Sequence, residues 1–493
     1  MEVPVRLHSL LQQFDPSLDL SHLPNVEVLG VQEDSRLVRT GDLFVARRGT
    51  KTDGGQYVAD ARSRGAVAVV TETPIADLPI PQVRVANAGI AASKLANLYH
   101  GHPTRSLKLL GVTGTNGKTT TTYLLRHLLA SASRRCGLVG TVEIDDGRSC
   151  REAVMTTPGA VHLADLLAAM RDHGCDACAI ETSSHALDQG RVAGMTYAAA
   201  GFTNLTGDHL DYHGTMDNYA AAKARLFEML DESAVAVVNA DSDWSQRMVR
   251  DSSARVSTFG MKSEADWTAR DISVTAGGSR FILGSPDGSA EVSMGLIGRH
   301  NIENALCAAA IAGEAMGLSV HQIAAGLKTA AGAPGRLQAV RAGQPFAVLV
   351  DYAHTDDALE NVLLALRPLT RGLLRVVFGC GGDRDRTKRP RMARVAEKLA
   401  DVVYVTSDNP RTENPRSILT DIVAGFPGNT GKTIVVEPDR RAAIERVLDD
   451  ARAGDVVLIA GKGHENYQIV GTTKHHFDDV EESLRVLKSI AAR

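Results

Sequence analysis

Aromatic side chains are scarce in this chain: Phe, Tyr and Trp make up 4% of its 493 residues, too few to build platforms on which nucleic-acid bases stack. An excess of positive charge is also missing. The formal net charge is −4, so no basic field points to a nucleic-acid partner. No apolar run reaches the roughly 18 residues of a membrane-spanning helix. The opening stretch Met1-Glu2-Val3-Pro4-Val5-Arg6 has no basic segment followed by an apolar one, so no signal peptide is expected. Cysteine is sparse, with six residues at 136, 150, 175, 178, 307 and 380. Only Cys175 and Cys178 have metal or redox spacing, and they lack the second pair that zinc needs. Small buried thiols in a reducing cytoplasm are expected.

What remains is an ordinary globular composition, 44% hydrophobic and 23% charged, with a length that predicts about three domains. Short apolar runs alternate with helical patterns almost throughout. Strands are expected at 26–31, 41–46, 65–70, 137–142, 177–180 and 234–239, and helices at 56–64, 88–99, 159–173, 216–230 and 301–316. Short strands with Gly turns are expected between about 267 and 294. Breaks at Gly101-His102-Pro103-Thr104 and Gly332-Ala333-Pro334-Gly335 mark domain boundaries. The last third alternates again, with strands at 346–350, 373–378, 401–405, 433–436 and 455–460. The fold class is therefore α/β with mostly parallel sheets.

One stretch carries the sharpest chemistry. Leu109 to Thr113 forms an apolar strand, Gly114-Thr115-Asn116-Gly117 a turn, and Lys118-Thr119-Thr120 opens a helical pattern. Backbone N–H groups at such a turn cradle phosphates; Lys118 would reach the β/γ-phosphates and Thr119 a Mg2+ ion. The strict G-x-x-x-x-G-K-[ST] pattern would place Gly at 112, where Val112 stands. Glu181 ends the next strand, where a second Mg2+ ligand or a structural carboxylate belongs. Asp208, His209, Asp211 and His213 crowd two acids and two imidazoles into six residues. By composition alone, Lys223 is a solvated helix lysine. Gly379 to Asp385 misses a dinucleotide fingerprint because Arg384 replaces its third Gly. Its backbone could still hold an anion, aided by Arg386, Lys388 and Arg389. Asp408-Asn409-Pro410-Arg411 supplies acceptor, amide and guanidinium in a shaped loop suited to a zwitterion, and Gly461-Lys462-Gly463-His464-Glu465 follows another strand.

Taken in chain order, these stretches resemble the Mur ligases, ATP-dependent amide-forming enzymes of peptidoglycan precursor synthesis. The likeness includes Asp34-Ser35-Arg36, Gly41 to Ala46, Gly114 to Thr120, Thr156-Thr157-Pro158, Glu181 to His185 and Asp208 to Gly214. It continues through Gly298 to Asn304, Gly335-Arg336, Asp351 to His354, Gly381 to Asp385, Asp408 to Arg411 and Gly461 to Glu465. Departures are Glu33 before Asp34, Asp356 where Pro is usual, and Asn414 where an acid is usual.

The resemblance implies three domains: 1–103 for the UDP-sugar, 104–334 for ATP on a P-loop ATPase-like sheet, and a Rossmann-like 335–493 for the amino acid. It implies that Ser35, Thr50, Lys51, Thr52, Thr156, Thr157, Ser183, Gln189 and Arg191 bind the UDP-N-acetylmuramoyl dipeptide. Gly114, Thr115, Asn116, Gly117, Lys118, Thr119, Thr120, Asn301, Asn304, Arg336 and Asp351 are implied to bind ATP. Thr119, Glu181, His209 and a carbamylated Lys223 (N6-carboxylysine) would hold Mg2+, and Lys118, Glu181, His209 and Lys223 would carry catalysis. Arg389, Asp408, Asn409, Pro410, Arg411, Gly461 and Glu465 match an amino-acid pocket. No nucleic acid or membrane span is implied, and a monomer is expected.

The activity implied is carboxylate activation by ATP to an acyl phosphate, followed by attack of an amine. Arg411 suits the distal carboxylate of meso-diaminopimelate, which lysine lacks. A lysine-adding relative is the nearest alternative, disfavoured by Arg411. A folylpolyglutamate synthetase-like ligase shares the loop but leaves the N-terminal domain unexplained. A nucleotide-gated scaffold without chemistry would not need Lys118, Glu181, His209 and Lys223.

Overall fold

Leu109, Leu110 and Val112 are fully buried in the strand Lys108–Thr113, and the order of the strands around it decides where chemistry can occur. The computed structural model describes residues 5–49, 52–275, 277–429 and 431–491. It divides into a first unit, Met1–Thr268 with Gly284–Gly288 and Glu303–Ile323, and a second, Ala269–Leu283 with Ser289–Ile302 and Ala324–Arg493.

The first unit begins with a parallel sheet of Gly30–Gln32, Asp42–Ala46, Ala68–Thr71 and Gln82–Arg84, adjacent in chain order. Every residue of Asp42–Ala46 is buried, as a central strand covered on both faces requires. Leu43 and Val45 face a core with Leu7, Leu10 and Leu95, whereas Phe44 faces Val58 and Ala61. Ala160, Val161 and Ala164, from the helix Ala160–Asp172, complete the first of these cores.

A larger sheet follows in the same unit. The first eight of its eleven strands are, in order, Cys150–Glu152, Glu143–Asp145, Cys136–Val139, Ala177–Glu181, Lys108–Thr113, Tyr197–Phe202, Val235–Asn239 and Arg255–Gly260. The first two pairings are antiparallel and the others parallel. Register aligns Glu181 with Val112 and Phe202 with Thr113. Three neighbouring strands thus end level, and the segments after them emerge at one edge, the place where open α/β sheets bind ligands. The helix Lys118–Ser131 starts from that edge. It ends where Ser133 turns left-handed (φ 59) and Arg134 N–H bonds back to Leu129 O at 2.8 Å, an αL-type stop.

The second unit carries its own sheet: Gln338–Ala339, Ala347–Asp351, Val456–Ala460, Leu374–Phe378, Val402–Val405 and Thr433–Val436. Only the first pairing is antiparallel. Val376, Phe378, Val403 and Leu458 face one core, and Val377, Tyr404, Val457 and Ile459 the other. That alternation is what a parallel strand covered on both sides demands.

The α/β class and the mostly parallel sheets expected from the pattern are present. The helix expected at 88–99 is Ala88–Tyr99, that at 216–230 is Met216–Glu228, and that at 301–316 is Arg299–Met316. The expected helix at 56–64 divides into a 3-10 turn, Gly54–Tyr57, and a helix, Val58–Ser63. The apolar pattern did not reveal the short helices Ser184–Asp188 and Leu210–His213, or the hairpin Tyr467–Val470 with Thr473–His476. All six cysteines are free; five are buried as expected, and Cys150 is exposed. No helix among the described residues is long and apolar enough to cross a membrane.

Candidate active site

The turn after Lys108–Thr113 explains the missing glycine. Val112 lies wholly inside the sheet, so the strand runs on through Thr113 and the loop that follows is short. Gly117 caps the next helix at φ 88, a left-handed conformation that Gly adopts without strain. A Cβ there would overlap the Asn304 carboxamide oxygen, and one on Gly114 would overlap Thr203 Oγ1. The segment after Tyr197–Phe202 holds the loop in shape. Thr115 N–H donates to Asn204 O at 2.9 Å, Asn116 N–H to Asn204 Oδ1 at 2.9 Å, and Thr203 Oγ1 to Asn116 O at 2.6 Å.

Two lysine side chains converge on one carbonyl oxygen. Lys118 Nζ donates to Gly114 O and to Thr115 O, each at 2.8 Å, and Lys223 Nζ reaches the same Gly114 O at 2.8 Å. Lys223 is 1% exposed, not the solvated helix lysine that composition suggested. Thr215 caps its helix through a bond from Asn218 N–H, and the inward face carries Tyr219 and Lys223 one turn apart. The ammonium lies 4.4 Å above the Tyr219 ring, and Tyr219 OH is 3.3 Å from Thr115 Oγ1. Burial, then the nearby Lys118 charge, pushes the Lys223 pKa well below the usual amine range. A neutral amine is the form that adds CO2 to become a carbamate.

Glu181 is completely buried at the level of Val112. Thr119 Oγ1 donates to its Oε2 at 3.0 Å, Thr141 N–H to its Oε1 at 2.8 Å, and Thr141 Oγ1 to its Oε2 at 3.0 Å. Gly140 makes room, since a Cβ there would stand 2.5 Å from Glu181 Oε1. Thr141 Oγ1 also meets Thr156 Oγ1 at 3.1 Å. Thr157 Oγ1 donates to Glu181 O at 2.7 Å and accepts from Ser183 N–H at 3.1 Å. Arg191 donates to Thr157 O at 2.9 Å and to Gln189 Oε1 at 2.7 Å. Thr156, Thr157, Ser183, Gln189 and Arg191 therefore form one network beside Glu181.

In the N-terminal sheet Ser35 is buried within a short turn, and Glu33 pairs with Arg47 at 2.8 Å. Thr52 O accepts a bond from Gly49 N–H at 2.8 Å. Thr50 and Lys51 lie outside the described residues. His209 stands apart from Glu181's hydrogen bonds. Its ring meets His185 edge-on at 4.9 Å, and its Nε2 is 3.5 Å from Asp208 Oδ2. Among the described residues no group of three or more His, Cys, Asp or Glu could hold a metal ion. A cation here would need the Thr119 hydroxyl, the Glu181 carboxylate and further oxygens, which is a donor set of the hard kind Mg2+ prefers.

The second unit gathers a different set at the ends of its strands. Asp408 is buried with Lys462 Nζ 3.7 Å from its carboxylate. Burial raises its pKa, but Lys462 and Arg440 hold it below the usual carboxylate range. Asn409 Oδ1 accepts from Lys462 Nζ at 3.0 Å, and its Nδ2 donates to Glu465 Oε2 at 2.8 Å. Burial and then Asp408 push the Glu465 pKa up. Gly461 leaves room for Asp408, whose Oδ2 would be 2.7 Å from a Cβ. Arg411 donates to Gly382 O at 2.8 Å, and among the described residues its guanidinium makes no other hydrogen bond. Pro410 O lies so close to Gly382 that a Cβ would not fit.

Arg389 is fully buried and committed. It donates to Glu413 at 2.9 and 3.0 Å and to Asp421 at 2.9 Å, while its Nε has no partner among the described residues. Arg386 also pairs with Asp421, at 2.9 Å, and Lys388 donates to His354 O at 2.9 Å. The three cations expected to help an anion into the Gly379–Asp385 loop thus have partners within the protein. Asp351 accepts from Leu337 N–H at 2.7 Å and Ala353 N–H at 2.9 Å, and the Arg336 guanidinium lies 4.8 Å over the Tyr352 ring. Asn301 Nδ2 donates to Ile297 O at 2.9 Å.

The chain is 46% identical over 492 residues to a Gloeobacter violaceus protein named UDP-N-acetylmuramoyl-L-alanyl-D-glutamate–2,6-diaminopimelate ligase, covering 99% of each. It belongs to the Mur ligase family. A Geobacillus kaustophilus protein of the same name is 46% identical over 474 residues, covering 93% of this ligase and 96% of the relative. A solved structure of a UDP-N-acetylmuramoyl-L-alanyl-D-glutamate–2,6-diaminopimelate ligase superposes with a TM-score of 0.75 at 35% identity, covering 99% of this chain and 100% of that one. Three family models match in order: Mur ligase family catalytic domain at 27–100, Mur ligase middle domain at 112–312, and Mur ligase glutamate ligase domain at 335–463.

Sequence reasoning passed over several residues that hold this ligase's site together. Thr141 had a signal, since it follows a strand and a Gly at the level of the phosphate loop. Tyr219 could have been found from its i,i+4 spacing to Lys223. Thr203 and Asn204 act on the loop mostly through bonds to backbone, for which residue type gives little clue.

Proposed function

We propose that this Mur ligase joins meso-2,6-diaminopimelate to the D-glutamate γ-carboxylate of UDP-N-acetylmuramoyl-L-alanyl-D-glutamate, at the expense of ATP, in peptidoglycan precursor synthesis. One observation carries the choice of amino acid. Arg411 has donors beyond its single bond to Gly382 O, in the same loop where Asn409 meets Glu465 at 2.8 Å. A guanidinium with open donors suits the distal carboxylate bidentately, and an acid suits the distal ammonium. Lysine would leave the guanidinium unpaired, a penalty that can reach about 10^4-fold in discrimination.

In this proposal Gly114 to Thr120, with Asn304, bind the ATP phosphates and base in the first unit, and Thr156, Thr157, Ser183, Gln189 and Arg191 bind the UDP-linked dipeptide with Ser35. Asn301, Arg336 and Asp351 carry over as nucleotide residues of the second unit. The three-part division at 103/104 and 334/335, a cytoplasmic setting and a monomeric state belong to the same proposal.

A γ-carboxylate oxygen attacks the γ-phosphorus, the bond to the β–γ bridging oxygen breaks, and ADP leaves. The acyl phosphate then meets the incoming amine. Nitrogen bonds to the acyl carbon, the carbon–oxygen bond to phosphate breaks, and inorganic phosphate departs. The entering ammonium gives up two protons, one carried off on phosphate and one released to solvent. Both partners in the first step are anions, so their repulsion must be met by cationic groups. Lys118 is placed to do so at the loop. Thr119, Glu181, His209 and carbamylated Lys223 would hold Mg2+, which supplies further positive charge toward the phosphate oxygens. Thr141, through its two bonds, keeps Glu181 turned toward Thr119.

Phosphate release assayed with each co-substrate omitted in turn tests the proposal. Release should require ATP, the UDP-linked dipeptide and diaminopimelate together, and lysine should substitute poorly. Equal kcat/KM for lysine would overturn the amino-acid assignment. Arg411→Ala should remove the preference while leaving the KM for the UDP-substrate near that of the unaltered protein.

A further inference from the structure

The loop that carries Asp408, Asn409 and Arg411 is braced by more than its own bond from Glu413 N–H to Pro410 O and its ties to Gly382. Four hydrogen bonds tie it to the edge of the hairpin Tyr467–Val470 and Thr473–His476 and to the turn between. Gln468 Nε2 donates to Asp408 O at 2.7 Å, and Ile469 N–H to Asn409 Oδ1 at 2.9 Å. Arg411 N–H donates to Ile469 O at 3.0 Å, and Gly471 N–H to Arg411 O at 2.8 Å. Ile469 is paired with Lys474 across the hairpin, yet both of its main-chain groups point the other way, into the loop.

Two consequences follow from the geometry. Arg411 sits at φ 52, a left-handed conformation that costs a non-Gly residue energy and persists only where its surroundings fix it. Here the hairpin captures both its N–H and its C=O. The Asn409 carboxamide is oriented in the same way. Its oxygen accepts from Ile469 N–H and from Lys462 Nζ, so its Nδ2 must face Glu465. The guanidinium direction and the amide direction, which together define what the loop can recognise, are set from outside it.

We infer that the hairpin edge at residues 468–471 is a specificity-setting element of the amino-acid site, acting by positioning Asp408, Asn409 and Arg411. This rests on the amino-acid pocket proposed above. Gln468 and Ile469 are positioning residues. The edge strand gives the loop a rigid partner, much as an added strand is fixed by main-chain bonds, and pre-organisation of this kind lowers the cost of binding.

The test uses the full chain with Gln468→Ala, Ile469→Pro, which removes the N–H bonded to Asn409, and His475→Ala on the outer strand as a control. Thermal melting shows which variants fold, and phosphate release gives KM and kcat for diaminopimelate, lysine, ATP and the UDP-linked dipeptide. Loss of one such bond should raise the KM for diaminopimelate about tenfold and lower the diaminopimelate-to-lysine ratio similarly. The KM for ATP and for the UDP-substrate should stay within about twofold, because the proposal places neither of them at this loop. If Ile469→Pro does not fold, Gln468→Ala decides alone. Variants that melt normally and keep both the diaminopimelate KM and the selectivity ratio within about twofold overturn the inference. Should the unaltered protein prefer another amino acid, the diaminopimelate assignment falls, and the hairpin's role is read from the KM of that preferred amino acid.

Discussion

Replacing Gly117 with Ala puts two separate costs on the phosphate loop, and both can be worked out from its geometry. The backbone stands at φ 88, where an L side chain costs about 1–2 kcal/mol. The new methyl would also overlap the Asn304 carboxamide oxygen, an overpacking that typically costs about 1–3 kcal/mol. Together these come to about 2–5 kcal/mol, equivalent to roughly 30-fold to a few thousandfold in an equilibrium constant. If the loop relaxes in the free protein, ATP must force it back, and the cost appears in the KM for ATP. If the loop holds its shape, the cost appears as a lower melting temperature, about 1.5 °C per kcal/mol for a unit of this size. Steady-state kinetics with varied ATP and a thermal melt therefore account for it between them. The collision part is separable. In an Asn304→Ala background the methyl has room, and Gly117→Ala should add only the backbone cost of about 1–2 kcal/mol. A Gly117→Ala protein that melts within a degree of the parent and binds ATP equally well would refute the reasoning.

The other predictions concern side chains around the two sites. Thr141→Val keeps the N–H bond to Glu181 but removes the hydroxyl bond at 3.0 Å. A bond to a charged acceptor is worth about 1.5–3 kcal/mol, so kcat/KM for ATP should fall roughly 10- to 100-fold, with Thr141→Ser near normal. Arg440 and Asp479 form a fully buried pair joined at 2.7 and 2.6 Å; Asp479→Ala leaves the guanidinium uncompensated and should cost about 3–5 kcal/mol by denaturant titration. Burial and then Asp408 raise the Glu465 pKa above its ordinary value, so the neutral acid persists to higher pH in the folded protein. Its contribution to stability is full below the unfolded pKa and lost as pH rises through the folded one. Binding of a distal ammonium needs the ionised acid, so the KM for diaminopimelate should fall over that same rise in pH, and Glu465→Gln should flatten the profile.

Where the sequence was legible, it was because chemistry and period coincided. The strand Lys108–Thr113 is an apolar run followed by the turn glycines Gly114 and Gly117, and Glu181 stands where such a run ends; both positions follow from pattern alone. Lys223 is the opposite case. Nothing in Tyr219 to Phe227 marks one lysine as buried, since that depends on which helix face meets the phosphate loop. The partners of Arg389 could not be read from its neighbours in sequence: the basic run suggested a free cation, but Glu413 and Asp421, 24 and 32 residues away, accept from its terminal nitrogens. The hairpin after Glu465 was missed because Tyr467–Val470 is only four residues long and its partner Thr473–His476 is polar and exposed, and its work is done by main-chain groups that residue type does not encode.

The same device recurs in the two units. Glu181, the loop after Thr113 and the segment after Phe202 follow parallel strands that register level with one another. In the second unit the segments after Phe378, Val405 and Ala460 do likewise, with Phe378 paired to Val405 and Asp351 to Ala460. Strands that end level present backbone N–H groups and side chains from distant parts of the chain to one small volume. Such convergence suits the proposed acyl-phosphate reaction, in which two anions must be brought together before an ammonium-bearing amino acid reacts. The first unit brings Lys118 and Lys223 to one carbonyl oxygen, Gly114 O, beside the loop proposed to bind the ATP phosphates. The second gathers Asp408 and Glu465 around Lys462, beside the loop proposed to bind the amino acid. Exchanging one charge in either set would therefore disturb the neighbours' ionisation as well as the ligand contact, which is why conservative variants such as Thr141→Ser and Glu465→Gln discriminate between positioning and charge better than truncations do.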